Sequence, residues 1–334
     1  MKFLIAGMGS IGRRHFRNLL TLGEHDILLY RTHHATLPDD ELSGFPVETD
    51  LYTALAHHPE AVIISNPTSL HLDVAIPAAQ HGCHILLEKP VSNSMERVDE
   101  LVKAVQQNGV KVLVGFQFRF HPGLLKLKQL LDAGTIGEML SARAHWGEYL
   151  PNWHPWEDYK QGYAARPELG GGVVLTLSHP LDYLRWFLGD IESLWAFFSH
   201  KGLNMPVEDL AEIGLRFKNG AIGSLHLDYD QRPPSHTLAI IGTLGTLHWD
   251  NADGITRLAQ VSPDGKTGSW QDYPPPDGFE RNTMFLDELR HFLNVMHGDI
   301  DPVCSLMDGI QALQLALAAY QSNHHRQVIH PNKL

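Results

Sequence analysis

The chain predicts an α/β fold, an N-terminal Rossmann doubly wound parallel sheet followed by an α+β domain on a mostly antiparallel sheet. Three observations carry that expectation. The chain opens on an apolar run, Phe3-Leu4-Ile5-Ala6, then Gly7-Met8-Gly9-Ser10-Ile11-Gly12, then a helical stretch that Gly23 ends. Strand and helix signals alternate through the first third, as in a parallel sheet with crossover helices. After about Phe120 the pattern changes to strand-like runs with hairpin signals.

Each element has a local reason. Strands read as Phe3–Ala6, Ile27–Arg31, a short Pro46–Thr49, Ala61–Ser65, Ile85–Glu88 and Lys111–Gly115. Asp50 caps Leu51–His57, Thr68 caps Ser69–His81 before Gly82, and Ser94 caps Met95–Asn108 before Gly109. Six strands with intervening helices fit the order 3-2-1-4-5-6, which puts strands 1 and 4 side by side at the switch point where such sheets bind ligands. In the second part a helix from Pro122 to Ala133 precedes strands at Met139–Glu148, Ser193–His200, Leu210–Phe217, Ala221–Tyr229, Thr237–Ile241 and Thr246–Asp250. Asn219-Gly220 is a two-residue hairpin signal. Gly170–Leu188 reads as one helix stopped by Gly189, and two more helices, Asn282–Met296 and Leu306–Ser322, close the chain.

In this context G-x-G-x-x-G is a dinucleotide-binding signal. Gly7 permits the tight turn, Gly9 lets backbone approach a pyrophosphate, and Gly12 lets helix and strand pack closely. Unpaired N–H groups at Ser10, Ile11 and Gly12 and the positive dipole end then face the phosphates. Asn66-Pro67-Thr68 leaves strand 4 and Glu88-Lys89-Pro90 leaves strand 5, so the nicotinamide end is expected toward Asn66, His71 and Lys89. An amine there can shuttle a proton beside a nicotinamide, which points at hydride chemistry. Strand 2 ends in Tyr30-Arg31-Thr32 with no carboxylate. Arg31, helped by Thr32 or Arg13, can hold a 2′-phosphate, so NADP is favoured over NAD.

Bulk properties set limits. The length of 334 residues suits two domains. The net charge of −12 argues against nucleic-acid and anionic-membrane partners. Cys83 and Cys304 are the only cysteines, which favours a reducing cytosol over a disulfide framework. No apolar run is long enough to span a bilayer, and the N-terminus reads as a strand and not a signal peptide. No C-x-x-C, H-E-x-x-H or acidic calcium loop accompanies the 22 histidines. The adjacent pairs His33-His34, His57-His58 and His324-His325 point apart on any regular element, and His81 and His84 read as solvated, so no metal is expected.

The segment from His145 to Arg166 carries Trp146, Tyr149, Trp153, Trp156, Tyr159 and Tyr163 among Glu148, Asp158 and Lys160. Aromatic faces suit the C–H faces of sugar rings, although several of these rings equally suit packing on the sheet or on a partner. Arg166 and Arg119 are candidates for an anionic substrate group.

Taken together, these residues resemble the glucose–fructose oxidoreductase and inositol dehydrogenase family, Gfo/Idh/MocA, over essentially the whole chain. The resemblance rests on Gly7–Gly12 with Arg13-Arg14-His15, Asn66-Pro67-Thr68 with His71, and Gly82 through Glu88-Lys89-Pro90. It continues through Gly115-Phe116, Arg119-Phe120, Pro122, Gly170-Gly171-Gly172 and Gly309…Ala319-Tyr320…Ser322. It implies a Rossmann domain at 1–120, a substrate and oligomerisation domain at 121–334, and NAD(P)-dependent chemistry on sugars, cyclitols or nucleotide-linked derivatives. It further implies a homo-oligomer through the C-terminal sheet. Lys89 matches the family's catalytic lysine and His179 its catalytic histidine. The family's aspartate after the three glycines is replaced by Thr176, three residues before His179, a spacing that keeps both on one helix face so that the site can survive the shift. Thr176 cannot stabilise an imidazolium by charge, a role that Asp182 could take. Two further readings of this family remain: a non-catalytic sugar- and cofactor-binding regulator, and a glycosidase or lyase that oxidises its substrate transiently.

Overall fold

The structure is a computed structural model that describes residues 1–32, 37–262, 265–266 and 268–331. The His33-His34 pair lies outside the described residues. Two compact units emerge, Met1–Gln117 with Arg281–Leu313, and Phe118–Glu280 with Gln314–Leu334. The first unit thus combines residues 1–117 with residues 281–313.

In the first unit, β1 (Lys2–Ala6), α1 (Ser10–Thr21), β2 (Asp26–Tyr30), β3 (Val47–Glu48), α2 (Leu51–Ala56), β4 (Ala61–Ile64), α3 (His71–Gln80), β5 (His84–Glu88), α4 (Val98–Asn108) and β6 (Val112–Gly115) follow in sequence. The sheet is parallel in the order β3-β2-β1-β4-β5-β6, as the alternation predicts. Strand interiors such as Ala61–Ile64 and Ile85–Leu87 are fully buried. That is how a parallel sheet covered on both faces reads. Asp50 does cap α2, accepting from the Thr53 amide at 2.8 Å. The caps expected at Thr68 and Ser94 differ. Thr68 opens a single 3₁₀ turn, with α3 starting at His71. The Ser94 hydroxyl accepts from the Glu96 amide, two residues on, and α4 starts only at Val98.

The second unit contains α5 (Pro122–Asp132), β7 (Met139–Gly147), α6 (Val173–Thr176), α7 (His179–Leu188), β8 (Ile191–Ser199), β9 (Leu210–Phe217), β10 (Ile222–Asp228), β11 (Ser235–Gly242), β12 (Gly245–Asp250), β13 (Thr256–Gln260) and β14 (Gln271–Tyr273). The eight strands run in the order β14-β13-β12-β11-β7-β10-β9-β8. All neighbours are antiparallel except β7 and β10, which pair in parallel. One face buries Ala144, Trp146, Leu225, Leu227, Leu238 and Trp249.

Gly170–Leu188 is not one helix. Pro180 has no N–H to offer Thr176, and its ring would strike that carbonyl four residues back. The helix therefore breaks at Leu177-Ser178, leaving α6 and α7. After α8 (Arg281–His297) comes α9 (Leu306–His325), divided between the units after Leu313. Among the described residues, no helix is long and apolar enough to cross a membrane.

Candidate active site

The glycine turn in the first unit is built as its spacing requires. Gly7 has φ of +94°, and a Cβ there would come within 2.5 Å of the Asn66 amide nitrogen; one on Gly12 would collide with the Gly7 carbonyl. A Cβ on Gly9 would meet no protein atom. Packing thus demands glycine at 7 and 12, whereas Gly9 leaves a cradle that a side chain would fill. Helix α1 begins there with no capping side chain and no acid in its first turn, so its N–H groups and dipole remain available to an anion. Ser65 Oγ donates to the Gly7 carbonyl at 2.9 Å and fixes the turn against the end of β4. Asn66 donates from Nδ2 to the Leu70 carbonyl at 3.0 Å, while its buried Oδ1 has no hydrogen-bond partner among the described residues. An open backbone cradle, an uncapped helix start and an orphaned acceptor fit a dinucleotide.

Other expected contacts have structural employment. His71 is buried, its nitrogens 2.8 Å from the Pro90 carbonyl and 3.0 Å from that of Asn66. Burial pulls this ring below the ordinary histidine range, so the neutral ring donates to only one of them. It links the Asn66-Pro67-Thr68 turn to the Lys89-Pro90 segment. Arg13 is engaged in the same way. Its buried guanidinium donates to the carbonyls of Met8, Leu37 and Pro38 and to Glu41 at 2.8 Å. It holds the segment after β2. Arg31 is buried beside it, with Nη2 2.7 Å from Asp39 Oδ1. Tyr30 and the exposed Thr32 flank it at the end of β2.

Lys89 follows the last residue of β5 and is half-buried. Its neighbour Glu88 is buried, and the Glu88 carboxylate lies 2.8 Å from Nε2 of His15 on α1. A second acid, Glu288 on α8, joins that pair and was not singled out in the sequence. It is fully buried, and neither carboxyl oxygen has a hydrogen-bond partner among the described residues. Burial first, and the nearby Glu88 second, push its carboxyl well above the usual range. The folded chain then holds a proton that the unfolded chain releases above about pH 4.3. Stability consequently falls as pH rises from there toward the folded value. Glu288→Gln removes that linkage: it is expected to gain about 1–3 kcal/mol at pH 8 and almost nothing at pH 4.5. Urea unfolding at the two values checks this, and an equal effect at both would refute it.

In the second unit, Thr176 ends α6 and His179 opens α7, so the expected shared helix face does not exist. Both side chains are buried. Helix α6 is anchored by Glu208, which accepts from the Val174 amide at 3.1 Å and the Tyr320 hydroxyl at 2.6 Å. The Tyr229 phenol donates to the Gly172 carbonyl at 3.1 Å, and burial pushes its ionisation far up. The His179 ring meets Phe118 edge-on at 5.0 Å and Trp146 at 5.6 Å.

Arg119 has an internal partner. It grips Asp182 through two bonds, Nε to Oδ2 at 2.9 Å and Nη2 to Oδ1 at 2.6 Å, both side chains buried. This pairing matches the Asp182 charge that the sequence offered to His179. Trp146 is a core residue, stacked on His236 at 4.3 Å. Trp153 packs edge-on against Tyr229 at 5.7 Å, and its indole N–H has no partner among the described residues. Trp156 and Tyr163 are exposed. Arg166 pairs with Glu168 at 2.7 Å.

Comparison with known proteins agrees with this architecture. Residues 1–116 match the oxidoreductase family with an NAD-binding Rossmann fold, and residues 124–248 match the GFO/IDH/MocA C-terminal domain. The chain is 28% identical to an uncharacterized oxidoreductase, YrbE, of Bacillus subtilis, covering 95% of this chain and 93% of the relative. It is 26% identical to a myo-inositol 2-dehydrogenase of Thermotoga maritima, covering 98% of each. The crystal structure of the WlbA dehydrogenase from Bordetella pertussis, in complex with NADH and UDP-GlcNAcA, superposes with a TM-score of 0.83 at 22% identity over 99% of this chain and 97% of that one, a likeness of fold alone. With both of its domains matched in order along the chain, the protein belongs to the Gfo/Idh/MocA family of oxidoreductases.

Proposed function

We propose that the chain is an NAD(P)-dependent dehydrogenase or reductase that moves a hydride between a nicotinamide cofactor and a hydroxyl-bearing carbon of a sugar, cyclitol or sugar nucleotide. The observation that carries this reading is the Gly9 cradle at the start of α1, beside the sheet whose fifth strand is followed at once by Lys89. A bound nicotinamide dinucleotide supplies the hydride acceptor or donor. The turn from Gly7 to Gly12 holds phosphate through backbone N–H groups, and Asn66 Oδ1 accepts from the ligand. An alcohol yields hydride only as its oxygen loses its proton, which calls for a base near neutrality. Lys89 or His179 takes that proton. Histidine is near neutrality unperturbed, whereas lysine reaches it through burial or a neighbouring cation. Thr176 and the rings of Trp153 and Tyr163 line the substrate, and Arg166 meets an anionic group once released from Glu168.

The test is an absorbance assay of purified chain with NAD and NADP against sugars, cyclitols and sugar nucleotides. Net, substrate-dependent reduction is expected. The Thr176 replacement favours a second reading, binding without turnover. A chain that binds cofactor and sugar yet never changes the cofactor's redox state would establish that regulator, while product without net redox change would establish transient oxidation.

For cofactor choice the reading is NADP, supported by Arg31 at the end of β2 and by the unpaired state of its Nε among the described residues. Asp39 is the competitor for that guanidinium. Arg31→Ala is expected to weaken NADPH binding at least about tenfold, the scale of a lost charged hydrogen-bonded pair, and to leave NADH binding nearly unchanged. Fluorescence titration of both cofactors decides it, and tighter NADH in the unaltered protein overturns the preference.

Self-association through the second sheet is part of the same proposal. Trp195, Phe197, Ile222 and Ile241 are all exposed on the face opposite the buried one. An apolar strip of this kind is an interface signature. Light scattering is expected to give a multiple of the 37.4 kDa chain mass, and a monomer would end this part. A cytoplasmic setting fits the two buried, free thiols, Cys83 and Cys304.

A further inference from the structure

The outward face of the second sheet carries a second chemistry. In the parallel pairing of β10 with β7, His226 stands opposite His145, and in the antiparallel pairing with β9 it stands opposite Glu212. Asp228 is two residues further along β10, on the same face. One donor atom from each of His145, His226 and Asp228 lies within 4.8 Å of the others. No sequence motif announces this set, because strand register and not local spacing brings it together.

We propose that His145, His226 and Asp228 form a binding site for a borderline divalent cation of the zinc class, clamping the parallel seam between β7 and β10.

The donor types are those zinc prefers, two imidazoles and one carboxylate, with water completing four-coordination. The supporting contacts are those of a metal centre. Glu212 Oε1 lies 2.6 Å from His226 Nδ1, so that nitrogen donates its hydrogen to the carboxylate. Nε2 likewise donates to Asp228 Oδ2 at 2.9 Å, and it is this proton that a cation would replace to coordinate the ring. A carboxylate behind the histidine fixes the tautomer and raises the basicity of the ligand. Asp228 is only 3% exposed. Its Oδ1 accepts the amides of Asp230 at 2.8 Å and Gln231 at 2.6 Å, so Oδ2 is the oxygen turned toward the histidines. Gln231 Oε1 holds Nε2 of His145 at 2.6 Å.

Room for this carboxylate is made by its register partner. Gly147 stands opposite Asp228, and a Cβ there would collide with Asp228 Oδ2 and Gln231 Oε1. The imidazoles of His145 and His226 lie parallel, 4.6 Å between centroids. Donor atoms around a tetrahedral zinc are about 3.4 Å apart, given bonds of about 2.1 Å, so closure needs only rotamer adjustment of two half-buried rings.

The site is tested on the full chain, stripped with a chelator and titrated with Zn²⁺ and Co²⁺. One tight equivalent is expected, with visible Co²⁺ ligand-field bands and a Zn²⁺-dependent rise in Tm. His226→Ala and Asp228→Asn are expected to weaken that equivalent at least about 100-fold, the upper effect of disturbing such a centre. His145→Ala, a half-exposed position whose loss leaves the core intact, repeats the test if the Asp228 variant fails to fold. Replacing both His324 and His325 by Ala is expected to leave the tight equivalent in place. A chain with no tight equivalent, or one retained undiminished in His145→Ala and His226→Ala, overturns the proposal.

Discussion

Lys89→Ala is expected to lower kcat by about 10²–10⁴-fold, the range of a lost proton-transferring group, while cofactor affinity stays within a few-fold. The separation of the two effects follows from the sheet order. The phosphate turn leaves β1, whereas Lys89 leaves β5, two strands away across β4. Neighbouring strands lie about 4.8 Å apart, so the two strand ends are about 10 Å apart. An ammonium at that distance is not the phosphates' counter-ion, and its loss leaves the backbone cradle whole. Lys89→Arg sharpens the test, because a guanidinium keeps the charge but cannot give up its proton. Steady-state kcat together with fluorescence titration of cofactor reads both quantities. Undiminished turnover in Lys89→Ala would remove the lysine from the chemistry, and a parallel collapse of affinity would make it a binding group.

What the sequence discloses depends on how local the cause is. The turn from Gly7 to Gly12 was legible because its requirements lie within one strand–turn–helix unit. The break between α6 and α7 was legible in principle, since Pro180 forbids a continuous helix through Thr176, but the apolar spacing of the stretch concealed it. Strands β13 and β14 were not anticipated. Gln271-Asp272-Tyr273 is short and largely exposed, and only pairing with β13 makes it a strand. The charged constellations were the least legible. Glu88 with Glu288, and His145 with His226, join residues far apart in sequence, and their encounter is decided by helix packing and strand register. Arg119 is a related case. In the sequence it reads only as a cation for an anionic group, and only the fold reveals the carboxylate 63 residues away that it grips.

That pair sets the largest stability effect expected in the molecule. Asp182 and Arg119 side chains are 2% and 4% exposed, and two parallel bonds join them. The Arg119 guanidinium also lies 5.5 Å from the Trp186 ring, which helps hold its plane. Two charges in this setting were desolvated together, so the intact pair contributes little beyond an apolar equivalent. Removing one partner is different, because the other stays buried and loses the two charged bonds that joined it to its partner. Asp182→Ala is therefore expected to cost about 3–5 kcal/mol, a fall of about 6–20 °C in the Tm of a unit the size of the second one. Replacing both, Arg119→Met with Asp182→Leu, is expected to recover most of that loss, since neither charge of the pair is then left behind. Urea unfolding of the two variants measures the coupling directly. A cost below about 1 kcal/mol for Asp182→Ala, the scale of an exposed pair, would mean that water reaches the guanidinium. Arg119 would then again be available to an anionic ligand.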